Sequence, residues 1–158
     1  MDSNKSTHLI EQIRKVILTD FARSMETPES LAGKFILIAV GIEYLGGCLD
    51  KQHMNATARS EKRFNTAILK LFPKRYHHFC KQGSVPYLYT GFRCPVIHQF
   101  KTEKSIFLCS SQTPATANLR HLTYDQAGSL ILVAEEFYQD LTVAAREMIN
   151  RIENNQPG

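Results

Sequence analysis

The chain has no tryptophan, no C-x-x-C pair among its four cysteines, no glycine-rich phosphate loop, no internal repeat and no low-complexity stretch. The missing tryptophan excludes nothing. The wide spacing of Cys48, Cys80, Cys94 and Cys109 excludes a zinc knuckle and a thioredoxin-like motif. Four cysteines can form two bridges, but nothing else points to secretion, so reduced thiols are expected. His77-His78-x-Cys80 offers a fragment of a metal site with no second cluster at ligand spacing; it reads as a polar helix end, and neither metal nor cofactor is expected. Met1-Asp2-Ser3-Asn4-Lys5 is polar and lacks the apolar region of a signal peptide, and no uninterrupted apolar run approaches the length of a bilayer. A cytoplasmic protein without a membrane partner is the expectation.

The 158 residues, 43% apolar and 22% charged, suit one globular domain over 1–158, with about 1–5 and 154–158 frayed. The net charge of +4 is unevenly spread. From Glu61 to Lys81 the chain carries Lys62, Arg63, Lys70, Lys74, Arg75 and Lys81 against one acid, a local excess of +5 that leaves the remainder near −1. Interleaved with Phe72, Tyr76, His77 and Phe79, such a stripe can follow a phosphate backbone and stack bases. Lys70, Lys74, Arg75 and Lys81, with Tyr89 as a stacking ring, are therefore candidate nucleic-acid contacts. Read structurally, the same residues are a solvated helix face and packing aromatics.

Helical periodicity dominates. A first helix is expected over about Ser6–Ser24, with Ile10, Ile13, Ile17 and Phe21 on one stripe. Met25–Ser30 breaks it, and Thr27 with Pro28 can start a second helix, apolar nearly all round from Phe35 to Ile42 and hence central, ending at Gly46-Gly47. After a polar loop containing His53, a third helix over about Thr57–Leu71 turns Phe64, Ala67, Ile68 and Leu71 inward and stops near Pro73, with a short turn over Lys74–Cys80. Ser105–Cys109 and Leu119–Thr123 read as strands of a small β-hairpin around a Ser/Thr/Pro loop, with His121 structural or exposed. The last helix begins at Thr123 or Asp125 and carries Leu130, Ala134, Phe137, Leu141, Ala144 or Ala145, Met148 and Ile152. The class is mainly all-α.

The stretch Gly91-Phe92-Arg93-Cys94-Pro95-Val96-Ile97-His98-Gln99-Phe100 holds a closely spaced arginine and histidine in an apolar setting. A buried guanidinium must reach water or meet an anion. With Pro95 at the first position of a helix, Arg93 and His98 flank free backbone amides suited to a phosphate. A helix running straight through Pro95 instead sets them about 140° apart around the axis. In a structural reading, Arg93 pairs with a carboxylate such as Glu43 and His98 donates to a backbone carbonyl. Cys94 as a nucleophile beside arginine is a third reading, with no second acid or amide-binding motif to complete it.

Arg93-x4-His98, near a helix start in the second half of a small helical protein, resembles the R-x(4-6)-H motif of the HEPN superfamily. The resemblance implies an up-and-down bundle of four to five helices, a homodimer, and metal-independent endoribonuclease activity on RNA of a toxin, defence or stress type, restrained by an antitoxin. Arg93 would hold the phosphate and His98 would act as acid or base. Active nucleases of the superfamily usually carry a polar residue after the arginine, where this chain has Cys94. That favours the alternative the family also offers, a non-catalytic dimerisation module or a binder of an anion, nucleotide or partner; the basic stripe favours the nuclease.

Overall fold

The computed structural model describes residues 3–27, 30–50, 56 and 58–154. The expected Pro28 helix start, His53 and the last four residues lie outside them. The first rod is continuous, made of α1 (Ser3–Ile13), a π-helical segment (Arg14–Asp20) and α2 (Phe21–Glu26). Its buried residues, Ile13, Ile17, Phe21 and Met25, recur strictly every four positions. In a regular α-helix that spacing rotates by about 40° each turn, and the wider π turn takes up the drift. The loosened Ile17 carbonyl accepts a hydrogen bond from the Tyr138 hydroxyl at 2.7 Å.

α3 (Leu31–Leu49) is the central helix expected, with Phe35, Ile38, Ala39, Ile42 and Leu45 fully buried. It does not stop at Gly46-Gly47. A Cβ on Gly46 would lie 1.9 Å from the Arg63 carbonyl oxygen, so this glycine lets α3 cross the backbone of α4 (Ser60–Leu71) rather than ending a helix. The 19 residues of α3, at hydropathy 1.5, are long and apolar enough to cross a bilayer, which the sequence reading did not expect because Lys34 and Glu43 interrupt the apolar run. Half of that length is buried inside the fold. Lys34 is itself buried: its Nζ donates to the Met25 carbonyl at 2.8 Å, to Gln112 Oε1 at 3.0 Å and to Glu135 Oε1 at 3.4 Å.

Phe64, Ala67, Ile68 and Leu71 of α4 face inward as expected, and a 3-10 helix (Lys74–Cys80) follows Pro73. The C-terminal half departs from expectation. β1 (Ile106–Cys109) pairs in parallel with β2 (Leu130–Val133), Ile106 opposite Leu130 and Cys109 opposite Val133. The expected hairpin with Leu119–Thr123 is not formed. Leu122 and Thr123 instead run antiparallel along the other edge of β2, Leu122 N–H to the Ile131 carbonyl and Ile131 N–H to the Thr123 carbonyl, both at 2.8 Å. Leu130 therefore belongs to a strand, and α6 (Ala134–Glu153) starts four residues later. Four successive buried apolar residues satisfy a strand covered on both faces, and the Asp125–Ser129 turn, with Gly128 at φ +79°, cuts the segment from anything before it.

From Phe137 to Ile152, α6 buries the expected stripe against α3, α4 and the first rod. The Phe137 ring stands within 5.2–6.3 Å of the rings of Phe72, Tyr76, Phe92 and His121, so one aromatic cluster joins the helices to the strands.

Candidate functional site

The motif lies on one continuous helical segment, π-helical over Tyr89–Arg93 and α-helical over Cys94–Gln99 (α5). Arg93 and Cys94 both have right-handed helical dihedrals, so Pro95 lies inside the run and does not open it. This corrects the phosphate-ready helix start. Proline has no N–H to give and its ring crowds the carbonyl four residues back, here Gly91. The backbone widens: Cys94 N–H bonds the Tyr89 carbonyl, and the Gly91 carbonyl accepts from Glu103 N–H at 3.1 Å.

A continuous helix separates the two motif residues. Arg93 donates through Nε at 2.8 Å and Nη2 at 2.5 Å to Glu43 Oε2 of α3, with its guanidinium 5.6 Å from the centre of the Tyr89 ring. Burial opposes the charge, but Glu43 outweighs it and holds the guanidinium more firmly protonated than usual. The groove beside this pair, about 330 Å³, is lined by Val40, Glu43, Tyr44, Gly47, Arg63, Arg93 and Ile97. His98 is exposed and opens on a different groove of about 600 Å³, shared with Thr90, Cys94, Pro95, Gln99 and Lys101–Lys104. Arg93 and His98 are not brought to one centre.

The basic candidates also divide. Lys70 lines a groove of about 420 Å³ at the α3–α4 crossing, with Gly46, Leu49, Asp50, Arg59, Lys62, Arg63 and Thr66. Lys74 and Lys81 are exposed beyond Pro73. Arg75, expected to contact nucleic acid, reaches instead to Asp140 of α6. Tyr89, expected to stack a base, already has Phe64 at 6.0 Å and Tyr87 at 6.5 Å.

Arg59 and Lys62 are the residues the sequence reading left out of the nucleic-acid contacts. With Thr66 and Lys70 they recur at helical spacing along one side of α4; the stripe counted from Glu61 held Lys62 without naming it a contact, and began two residues after Arg59. Arg63 between them is buried and pairs with Asp50 at 3.2 Å. Among the described residues no carboxylate pairs with Arg59, Lys62 or Lys70.

A second polar cluster lies in the core. Val133 N–H donates to His121 Nδ1 at 2.9 Å, which leaves the ring proton on Nε2. Nε2 lies 2.7 Å from the Tyr76 hydroxyl, which donates to Asp140 Oδ2 at 2.5 Å, the same oxygen that meets Arg75. Burial lowers the His121 pKa to about 4, so the ring is neutral. Every donor here has an acceptor, and the cluster fastens the 3-10 helix, β2 and α6 together. Among the described residues no three His, Cys, Asp or Glu side chains gather as metal ligands.

Compared with known proteins, the chain matches no family model, no curated protein and no solved structure.

Proposed function

We propose that this chain is a non-catalytic, HEPN-like helical module that binds the phosphate backbone of single-stranded RNA along α4. The observation that carries the reading is the row Arg59, Lys62, Thr66 and Lys70 on the α3–α4 groove, whose three cations have no carboxylate partner among the described residues. The eleven helical steps from Arg59 to Lys70 span about 16 Å. That length suits several successive phosphates better than a single one, and the Thr66 hydroxyl between the cations can donate to a phosphate oxygen.

The Arg93–Glu43 pair argues against cleavage. Metal-free RNA cleavage needs the arginine on the phosphate and the histidine on the reacting oxygens at the same time, and here they serve different grooves. The homodimer implied by the family resemblance is the assembly this reading adopts, and it requires no restraining antitoxin.

The test is fluorescence anisotropy of a labelled single-stranded RNA across a salt series, with the RNA recovered from excess chelator and checked for length. The wild type should bind with steep salt dependence and leave the RNA intact. Lys62→Ala/Lys70→Ala should weaken binding and flatten the salt slope by about 1.4, near 0.7 per phosphate contact. Equal binding by wild type and variant would sink the proposed groove. Cleavage by the wild type that is lost in His98→Ala would restore the nuclease.

A further inference from the structure

The four thiols occupy different surroundings. Cys80 and Cys109 are buried, and burial pushes them up to about 12 and about 11. Cys48, against Tyr44, is pushed up to about 12 by the same cause. Cys94 is half-buried and forms part of the wall of the 600 Å³ groove that also holds His98. His98 follows one helical turn later on the same face, which puts their Cβ atoms about 5–6 Å apart. The Tyr89 hydroxyl and the Arg93 guanidinium are polar neighbours of the Cys94 thiol on the side of the π turn. Lys101 and Lys104 line the same groove, with Glu103 as the opposing charge and Thr90 and Gln99 as neutral hydrogen-bonding groups.

We propose that Cys94 is a thiol-exchange site for a small disulfide bearing carboxylates, of the glutathione class, with Lys101 and Lys104 receiving the carboxylates and His98 handling the proton. His98 takes the Cys94 thiol proton, and Cys94 Sγ attacks one sulfur of the bound disulfide. A new S–S bond to Cys94 forms as the original S–S bond breaks. The departing thiolate recovers the proton from His98 and leaves as a free thiol. One S–S bond is consumed and one is formed: one half of the small disulfide ends in the mixed disulfide with Cys94 and the other leaves as thiol, so no further oxidant or reductant is needed. The proposal uses none of the α4 groove and holds whether or not the chain binds RNA.

The experiment treats the folded full-length chain at neutral pH with oxidised glutathione, then locates adducts by non-reducing peptide mass mapping. The urea-unfolded chain, with all four thiols open, is the positive control. One glutathionyl group on Cys94 is expected, and none on folded Cys94→Ser. Lys101→Ala/Lys104→Ala should react several-fold more slowly with oxidised glutathione yet at the wild-type rate with neutral 2-hydroxyethyl disulfide, which separates recognition by the groove from thiol exposure. His98→Ala should slow both reagents, with circular dichroism showing each variant folded. Modification of Cys48 ahead of Cys94, an unmodified Cys94 in the folded chain, or equal slowing of both reagents in the lysine variant would overturn the proposal.

Discussion

At the scale of single residues, His121 makes the sharpest statement about pH. Its ring is neutral in the folded chain with a pKa of about 4, against about 6.5 in an unfolded one. Between those values the unfolded state binds more protons, so this residue's contribution to stability is complete above about pH 6.5 and is lost as pH falls to about 4. A shift of that size corresponds to about 3 kcal/mol. Urea midpoints of the wild type should drop across this window, and those of His121→Ala should drop less steeply from a lower starting point, because the variant leaves Val133 N–H and the Tyr76 hydroxyl short of a partner. A parallel fall in both proteins would assign the pH dependence to other groups. Arg93 and Glu43 allow an independent check: single alanine substitutions should each destabilise, and the double-mutant cycle should return a coupling of about 1–2 kcal/mol.

At the scale of elements, sequence periodicity was informative where one face of a helix meets the core and less so where the backbone leaves regular geometry. The inward residues of α4, the apolar α3 and the stripe of α6 from Phe137 onward could all be read from spacing, because burial on one side imposes it. The π segments could not be named, although a period of four in the first rod and Pro95 in the second were their visible traces. Leu130 fits the α6 stripe by count alone and belongs to β2 because its three successors are buried as well. Gly46 has the composition of a terminator and the surroundings of a crossing point. Gly46→Ala should therefore destabilise by more than the ~1 kcal/mol that separates glycine from alanine in helix propensity, and in the opposite direction, since the Arg63 backbone must move. Thermal melts read the sign directly, and a stabilised variant would refute the close crossing.

Across the whole molecule, the candidate site was legible in its parts more than in its assembly. Glu43 was foreseeable as a partner of Arg93, and the 140° separation of Arg93 from His98 followed from counting residues; which geometry held depended on whether Pro95 opened the helix or lay within it. The excess positive charge was plain in the composition, but the cations that share a groove, Arg59, Lys62 and Lys70, straddle the start of the stripe, whereas Arg75 farther along is drawn away to Asp140. Lys34 brings these scales together. With its ammonium enclosed by the Met25 carbonyl, Gln112 and Glu135, it ties α3 to the end of the first rod, the loop after β1 and the start of α6. An amine-reactive reagent should label the exposed lysines within the time of mixing and reach Lys34 only when those pieces part, so the appearance of its adduct is a clock for the opening of the protein.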